Sequence, residues 1–308
     1  MNLPTLVIIQ GPTASGKTKL AIDLALYFDT EIISADARQF YSEMSIGTAK
    51  PSAIELAQAT HHFINSHSIQ QDFTAANFAQ EASILLSRLF ETKKFVVLVG
   101  GSNMFVDALI DGLDPIPSDV LLKKELNLLL EKNGIGVFLE ELRDKDPETY
   151  LSIDRNNPHR VLRAIEAIRL SGKKISELKR GLKKENPFNT IRFAIDWERD
   201  ILYNRINQRV DTMLELGLLE EVQSLLTQRS LNALKTVGYT ELIKHLDGEI
   251  TLDFAIDQIK QHTRNYAKRQ LTWLRSYKDL NWLNPNSKIP LLEQLLAKIV
   301  KDEKILLE

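Results

Sequence analysis

Apolar positions along this chain keep two rhythms. Leu6-Val7-Ile8-Ile9, Glu31-Ile32-Ile33-Ser34 and Phe95-Val96-Val97-Leu98-Val99 are short, almost unbroken apolar runs, and Ile191 to Trp197 is a fourth strand-like stretch. Between them the spacing is helical: Leu20, Ala21, Leu24 and Ala25; Ala53 to Ala59; and a stretch after Thr74 through Ala82, Leu85 and Leu89. Strands apolar on both faces, alternating with helices, predict a parallel sheet covered on its two sides. From Pro115-Ile116-Pro117-Ser118 onward the strand rhythm disappears. Leu121, Leu122, Leu126, Leu129 and Leu130, then Val137, Leu139 and Leu142, then Val161, Leu162, Ile165 and Ile168 recur at helix spacing, punctuated by Pro158 and Gly172. The sheet resumes at Ile191, and Val210, Met213, Leu214, Leu218, Val222 and Leu225 predict a helical C-terminal part. The expected organisation is an α/β core from residues 1–117 and 188–308, interrupted by an all-helical insertion domain at 118–187. His61-His62 reads as a loop pair of hydrogen bonders.

The turn after the first run adds chemistry. Gly11-Pro12-Thr13-Ala14-Ser15-Gly16-Lys17-Thr18 lies between strand and helix with the spacing of a complete phosphate-binding loop. Glycines let backbone N–H groups curl around phosphate oxygens, and the helix N-terminus adds the positive end of its dipole. Lys17 supplies a mobile cation and Thr18 a hydroxyl for Mg²⁺. The fold class expected is therefore a phosphate-loop NTPase-like parallel sheet flanked by helices. Ligands in such sheets sit at the carboxyl ends of the strands, which gathers Gly11–Thr18, Asp36 and Gly100-Gly101-Ser102 towards one crevice.

Composition narrows the partners. With 308 residues and 44% apolar content, the chain is of ordinary globular make-up, and the absence of Cys excludes disulfides, thiolate catalysis and Cys-based zinc sites. No apolar run is long enough to span a membrane and no signal-peptide pattern opens the chain, so a cytoplasmic protein is expected. The net charge is only −2. Its distribution says more: ten cations against two acids lie between Arg155 and Lys184, and six cations with no acid between Gln258 and Lys278, where Tyr266, Trp273 and Tyr277 are interleaved. Such faces suit phosphate backbones and unstacked bases, so RNA is the expected partner.

Asp36, at the end of the second strand, can hold Mg²⁺, act as a general base or cap its own turn. Arg38 and Gln39 suit a base or a phosphate. Ser102 can present a hydroxyl or serve as a helix N-cap. Arg205 and Arg209, four apart, share a helix face that can reach a diphosphate. No Asp-Asp-x-x-Asp cluster is present. The loop and Asp36 alone equally fit a small-molecule kinase, and a prenyltransferase of free adenine nucleotides would share the chemistry below. Neither explains the two basic segments.

Taken in order, Gly11–Thr18, Ile33–Gln39, Ile46-Gly47-Thr48-Ala49-Lys50-Pro51, His61-His62, Val99–Ser102, Asn157–Val161, Arg205–Asp211, Val237-Gly238-Tyr239 and Tyr266–Arg275 resemble the bacterial tRNA dimethylallyltransferases over nearly the whole chain. The resemblance implies transfer of a dimethylallyl group from its diphosphate to N6 of the adenine 3′ of the anticodon. Carried over residue by residue, the general base falls on Asp36, with Ser102 and Arg209 also catalytic. The diphosphate site falls on Gly11, Pro12, Thr13, Ala14, Ser15, Gly16, Lys17 and Thr18. The tRNA contacts fall on Asp36, Ala37, Arg38 and Gln39, on His159, Arg160, Val161, Leu162 and Arg163, and on Lys268, Arg269, Trp273 and Arg275. The partners implied are dimethylallyl diphosphate and a tRNA anticodon stem-loop; Mg²⁺ is the cofactor, with Thr18 its ligand, and the chain is expected to act as a monomer away from membranes. Two positions depart from the family's usual pattern: Ala37 stands for Ser, and Ser102 for Thr, which keeps the hydroxyl.

Overall fold

The computed structural model describes residues 3–179, 181 and 184–305; Arg180 and Lys183 of the first basic segment lie outside the described residues. The strands are β1 (Thr5–Gln10), β2 (Ile32–Ser34), β3 (His61–His62), β4 (Phe95–Gly100), β5 (Asn189–Ile195) and β6 (Leu280–Leu283). They form one sheet in the order β3-β2-β4-β1-β5-β6, every pairing parallel. The central strand β1 is buried along its whole length, paired with β4 on one side and β5 on the other.

Alternate residues of the strands feed two cores. Leu6, Ile8, Ile33, Val96 and Leu98 pack on one face with Phe78, Phe105, Val210 and Ile259. Val7, Ile9, Ile32, Val97, Phe193 and Ile195 pack on the other with Leu20, Leu24, Leu295 and Ile299. Such burial stabilises by roughly 1.5–3 kcal/mol per large side chain, which is why these strands read as apolar runs. The helices of this unit are α1 (Lys17–Tyr27), α2 (Ala53–Gln58), α3 (Ala75–Leu89) and α4 (Asn103–Ile110), and later in the chain α10 (Arg199–Glu215), α11 (Leu218–Ser224), α12 (Tyr239–Leu246), α13 (Leu252–Leu274) and α14 (Leu291–Ile305).

Residues 1–110 and 186–308 make one compact unit and 111–185 another. The second unit contains α5 (Val120–Asn133), α6 (Gly136–Lys145), α7 (Pro147–Ser152), α8 (Pro158–Ser171) and α9 (Ile175–Leu178), and no strand among its described residues. Leu126, Phe138, Leu142, Val161 and Ile165 form its core. Asn157 caps α8 by accepting from the Arg160 N–H, Pro158 fills the first turn, and Gly172 ends the helix at φ 67°.

Two edge strands depart from the sequence reading. His61-His62 is not a loop: it pairs with Ile32 and Ile33 as β3. Leu280–Leu283, expected inside a helical region, is β6 against β5. Both lie at sheet margins, where one side of the ladder is free, so neither needs the apolar run that marks a central strand.

Candidate active site

The phosphate loop turns between β1 and α1. Gly16, the residue before α1, sits at φ 92°, and Ala14 at φ 62°, so the loop has two left-handed turns and only one is relieved by glycine. The strain at Ala14 is held from outside. Arg205 Nε donates to the Ala14 carbonyl at 2.9 Å, and Trp197 Nε1 donates to the Ser15 carbonyl at 2.8 Å. The Arg205 guanidinium itself lies 4.6 Å from the Trp197 ring. From α13, Gln270 completes the frame: the Thr13 N–H donates to its Oε1 at 3.0 Å, and its Nε2 donates to the Gly101 carbonyl at 2.8 Å. A Cβ at Gly101 would collide with that Nε2, and one at Gly100 with the Ala35 carbonyl. These contacts account for a strand that ends in glycines where many phosphate-loop proteins place an acid.

Inside the cleft, Lys17 Nζ donates to the Pro12 carbonyl at 3.3 Å. Burial, and next the charge of Arg209, lower its ammonium to about 8, and Asp36 only partly offsets them. Arg209, from α10, donates to the Ala49 carbonyl at 3.1 Å. Burial is the chief cause that lowers its pKa, opposed by Asp36 and Glu55. Among the described residues neither cation is closed off by an ion pair with a carboxylate. Two desolvated cations beside the N-terminus of α1 make a site suited to an anion.

Opposite them, Asp36 Oδ1 accepts from the backbone N–H of Arg38 at 2.9 Å and of Gln39 at 3.3 Å. Asp36 therefore caps its own turn with one oxygen and also lines the cleft. The Ala37 N–H donates to Ser102 Oγ at 2.8 Å, which ties the end of β2 to the start of α4. Thr13–Thr18, Asp36–Gln39, Ser102, Arg209 and Tyr266 all line this one cleft, of about 540 Å³. Apolar side chains line it as well: Ile206, Val210, Met213, Leu218, Val237 and Ile259.

The sequence did not mark the residues that brace this cleft. Glu221 on α11 accepts from three consecutive backbone N–H groups, Ser45 and Ile46 at 2.8 Å and Gly47 at 3.0 Å, and from the Tyr239 hydroxyl at 2.5 Å. It fixes the loop whose Ala49 carbonyl carries Arg209. Gln39 Nε2 donates to the Thr48 and Ala49 carbonyls at 3.2 and 3.1 Å, while its Oε1 accepts from Ser34 at 3.4 Å. The Gln39 side chain thus braces the same loop. Arg38 donates to the Ala37 carbonyl at 3.1 Å.

The remaining expected RNA contacts divide sharply. In the helical unit, His159 and Arg160 are exposed, but Val161 and Leu162 point into the core and Arg163 donates to the Ile116 and Pro117 carbonyls and to Glu166. The buried Val161 and Leu162 cannot reach RNA, whereas His159, Arg160 and the partly exposed Arg163 remain accessible. On α13 and just beyond it, Lys268, Arg269 and Arg275 are exposed. Trp273 is 43% exposed, yet its Nε1 donates to Asp107 at 3.0 Å, and the Tyr277 hydroxyl donates to the same carboxylate at 2.6 Å. Trp273 is thus an anchored rim rather than a freely turning platform. The described residues contain no group of three or more His, Asp or Glu able to hold a metal by themselves. Thr18 lies in the cleft wall.

Comparison with known proteins decides the family. The IPP transferase family model matches residues 39–277. The chain belongs to the IPP transferase family. Among curated members it is 46% identical over 286 residues to the tRNA dimethylallyltransferase of Christiangramia forsetii, covering 92% of this chain and 95% of that protein. It is 42% identical over 294 residues to tRNA dimethylallyltransferase 1 of Bacteroides thetaiotaomicron, covering 95% and 96%. Of solved structures, the tRNA isopentenylpyrophosphate transferase of Bacillus halodurans is similar with a TM-score of 0.72 at 35% identity, over 98% of this chain and 99% of that one. A eukaryotic dimethylallyltransferase acting on tRNA is similar with a TM-score of 0.81 at 26% identity, over 98% and 79%. The family's solved members thus share this parallel-sheet architecture.

Proposed function

We propose that this chain transfers a dimethylallyl group from dimethylallyl diphosphate to N6 of an adenine in tRNA, the adenine next to the anticodon on its 3′ side. The observation that carries the reading is one cleft lined by Lys17, Arg209 and Asp36, in which neither cation forms an ion pair with a carboxylate among the described residues. Breaking an allylic C–O bond puts positive charge on the prenyl group and negative charge on the departing diphosphate. The loop N–H groups, Lys17 and Arg209 stabilise that anion in a site already desolvated before it arrives. An adenine amine is a weak nucleophile, so the free oxygen of Asp36 takes its proton as the C–N bond forms. The apolar lining from Ile206 to Ile259 suits a five-carbon chain and keeps water from the carbocation-like carbon.

Mg²⁺ fits this site as Mg²⁺ usually does, bound mainly through substrate phosphates with one protein oxygen. Thr18 Oγ1 would hold it, and the ion would supply further charge neutralisation at the leaving group. The target base must leave its stack to enter the cleft; Lys268, Arg269 and Arg275 offer exposed cations to RNA on the sheet unit, and His159 and Arg160 offer an exposed face on the helical unit. The names of the relatives favour tRNA over a small molecule or a free nucleotide as acceptor. No helix among the described residues is long and apolar enough to cross a membrane.

The test is direct. Purified protein with labelled dimethylallyl diphosphate, Mg²⁺ and unmodified tRNA should label the RNA without ATP. Label confined to free adenine nucleotide, or phosphate transfer from ATP, would overturn the proposal.

A further inference from the structure

Thr263, Tyr266, Gln270 and Trp273 recur three and four residues apart on α13, so they share one face of the helix. The first three line the cleft. Trp273 is the next position of that face, about 4.5 Å along the axis from Gln270, and 43% of it is exposed. Arg269 and Arg275, both exposed, flank it in the chain.

The indole is not free to turn. Asp107 on α4 accepts the Trp273 Nε1–H on Oδ2 at 3.0 Å. Its Oδ1 accepts from the Tyr277 hydroxyl at 2.6 Å and from Arg192 at 3.3 Å, and the Arg192 guanidinium lies 4.5 Å from the Tyr277 ring. One turn earlier on α4, Asn103 Nδ2 donates to the Gln270 carbonyl at 3.4 Å, while Asn103 Oδ1 accepts from Gln10 at 2.9 Å. Asn103 and Asp107, four apart, therefore grip α13 twice, once beside the cleft and once at Trp273. A clamp between two helices needs no exposed ring. Here the ring is held by its nitrogen edge and left accessible among cations, the arrangement on which an unstacked base can lie. A side chain ordered beforehand also loses little further freedom when RNA covers it.

Building on the prenyl-transfer reading, we propose that Trp273 is the stacking wall for a nucleotide adjoining the extruded adenine, and that Asp107 is the residue that positions it. The base in the cleft lies against the Tyr266–Gln270 part of this face, and its neighbour in the strand meets the next aromatic ring along it.

The carboxylate can be tested without removing the ring. In Asp107→Asn the amide oxygen stays with Arg192 and Tyr277, and the NH₂ meets the Trp273 N–H, donor against donor, which frees the indole. Full-length protein is titrated with a tRNA anticodon stem-loop and, separately, with dimethylallyl diphosphate. Asp107→Asn, and Trp273→Phe, which keeps a ring but not its N–H, should each weaken RNA binding about three- to tenfold. Trp273→Ala should weaken it by about tenfold or more. Adding Asp107→Asn to Trp273→Ala should cost nothing further, and donor affinity should hold in every variant. A stem-loop made abasic on one side of the target should bind wild type more weakly and Trp273→Ala no worse than the intact loop does.

Independent losses in the double variant would make Asp107 a plain helix clamp, and unchanged RNA affinity in Trp273→Phe or Trp273→Ala would take the indole out of the interface. Either result overturns the proposal. Should Asp107→Asn melt far below wild type, Trp273→Phe carries the test alone, since it leaves the carboxylate with Arg192 and Tyr277. RNA bound by wild type but never prenylated would sink the prenyl-transfer reading, while the binding outcomes would still decide the roles of Trp273 and Asp107.

Discussion

Replacing Glu221 by Gln tests how the cleft is held. In the native protein two backbone N–H groups fall on one carboxylate oxygen, and Gly47 N–H with the Tyr239 hydroxyl on the other. An amide has one oxygen to give. With that oxygen kept against Ser45 and Ile46, the NH₂ faces the Gly47 N–H, donor against donor, while the Tyr239 hydroxyl can turn to accept. Stranding Gly47 costs about 1–3 kcal/mol, and losing the charge on the two remaining bonds about 1 kcal/mol each. Water at the exposed Ser45 end brings the total to about 2–3 kcal/mol. In a chain of this size that is a fall of about 3–5 °C in Tm. Because the Ala49 carbonyl carries Arg209 and Gln39, the donor KM should also rise several-fold while kcat changes much less. A variant that melts within about 1 °C of wild type with an unchanged KM would show that the loop does not depend on this carboxylate.

Other expectations follow from the same geometry. Asp36→Asn should keep tRNA affinity and lose turnover by orders of magnitude, measured by filter binding beside single-turnover transfer; equal losses in both would make Asp36 structural. Burial holds the Lys17 ammonium near 8 in the free protein, and a bound diphosphate favours its charged form. Donor affinity is therefore full below pH 8 and falls as pH rises through 8, with proton uptake on binding above it; calorimetry finding a flat Kd across that range would refute the assignment. Gln270→Ala should raise the donor KM by about tenfold through the loosened Thr13 and Gly101, with RNA affinity little changed. Exposed Lys268 and Arg269 should give tRNA binding a steep salt dependence, and charge removal at either should lower the slope by about 1 on a log–log plot.

The parts of this protein legible in its sequence are those whose cause is local. The runs that became β1, β2, β4 and β5 are apolar because both their faces are covered, and the phosphate loop declares itself through glycines whose backbone geometry no other residue takes easily. The edge strands β3 and β6 have half their ladder free, and their mixed composition looks like any turn. The braces of the cleft were silent for another reason. Trp197, Glu221 and Gln270 act across well over a hundred residues of chain, and a Glu that gathers three N–H groups looks, in sequence, like any helix-surface Glu; Arg205 stood out only as a diphosphate candidate, not as the support of Ala14. Sequence also did not show the second tie of three residues with the chemistry to bind RNA: Gln39, Arg163 and Trp273 each hydrogen-bond a neighbouring loop or Asp107.

The buttressing of the phosphate loop by residues 197–270 has a consequence for biosynthesis. The turn that grips the leaving group leaves the ribosome well before its clamps at Trp197, Arg205 and Gln270, and β1 lacks its β5 neighbour until residue 189 is made. A nascent or truncated chain ending before β5 therefore has the motif with none of its clamps, and one ending before α13 still lacks the Gln270 brace on Thr13 and Gly101.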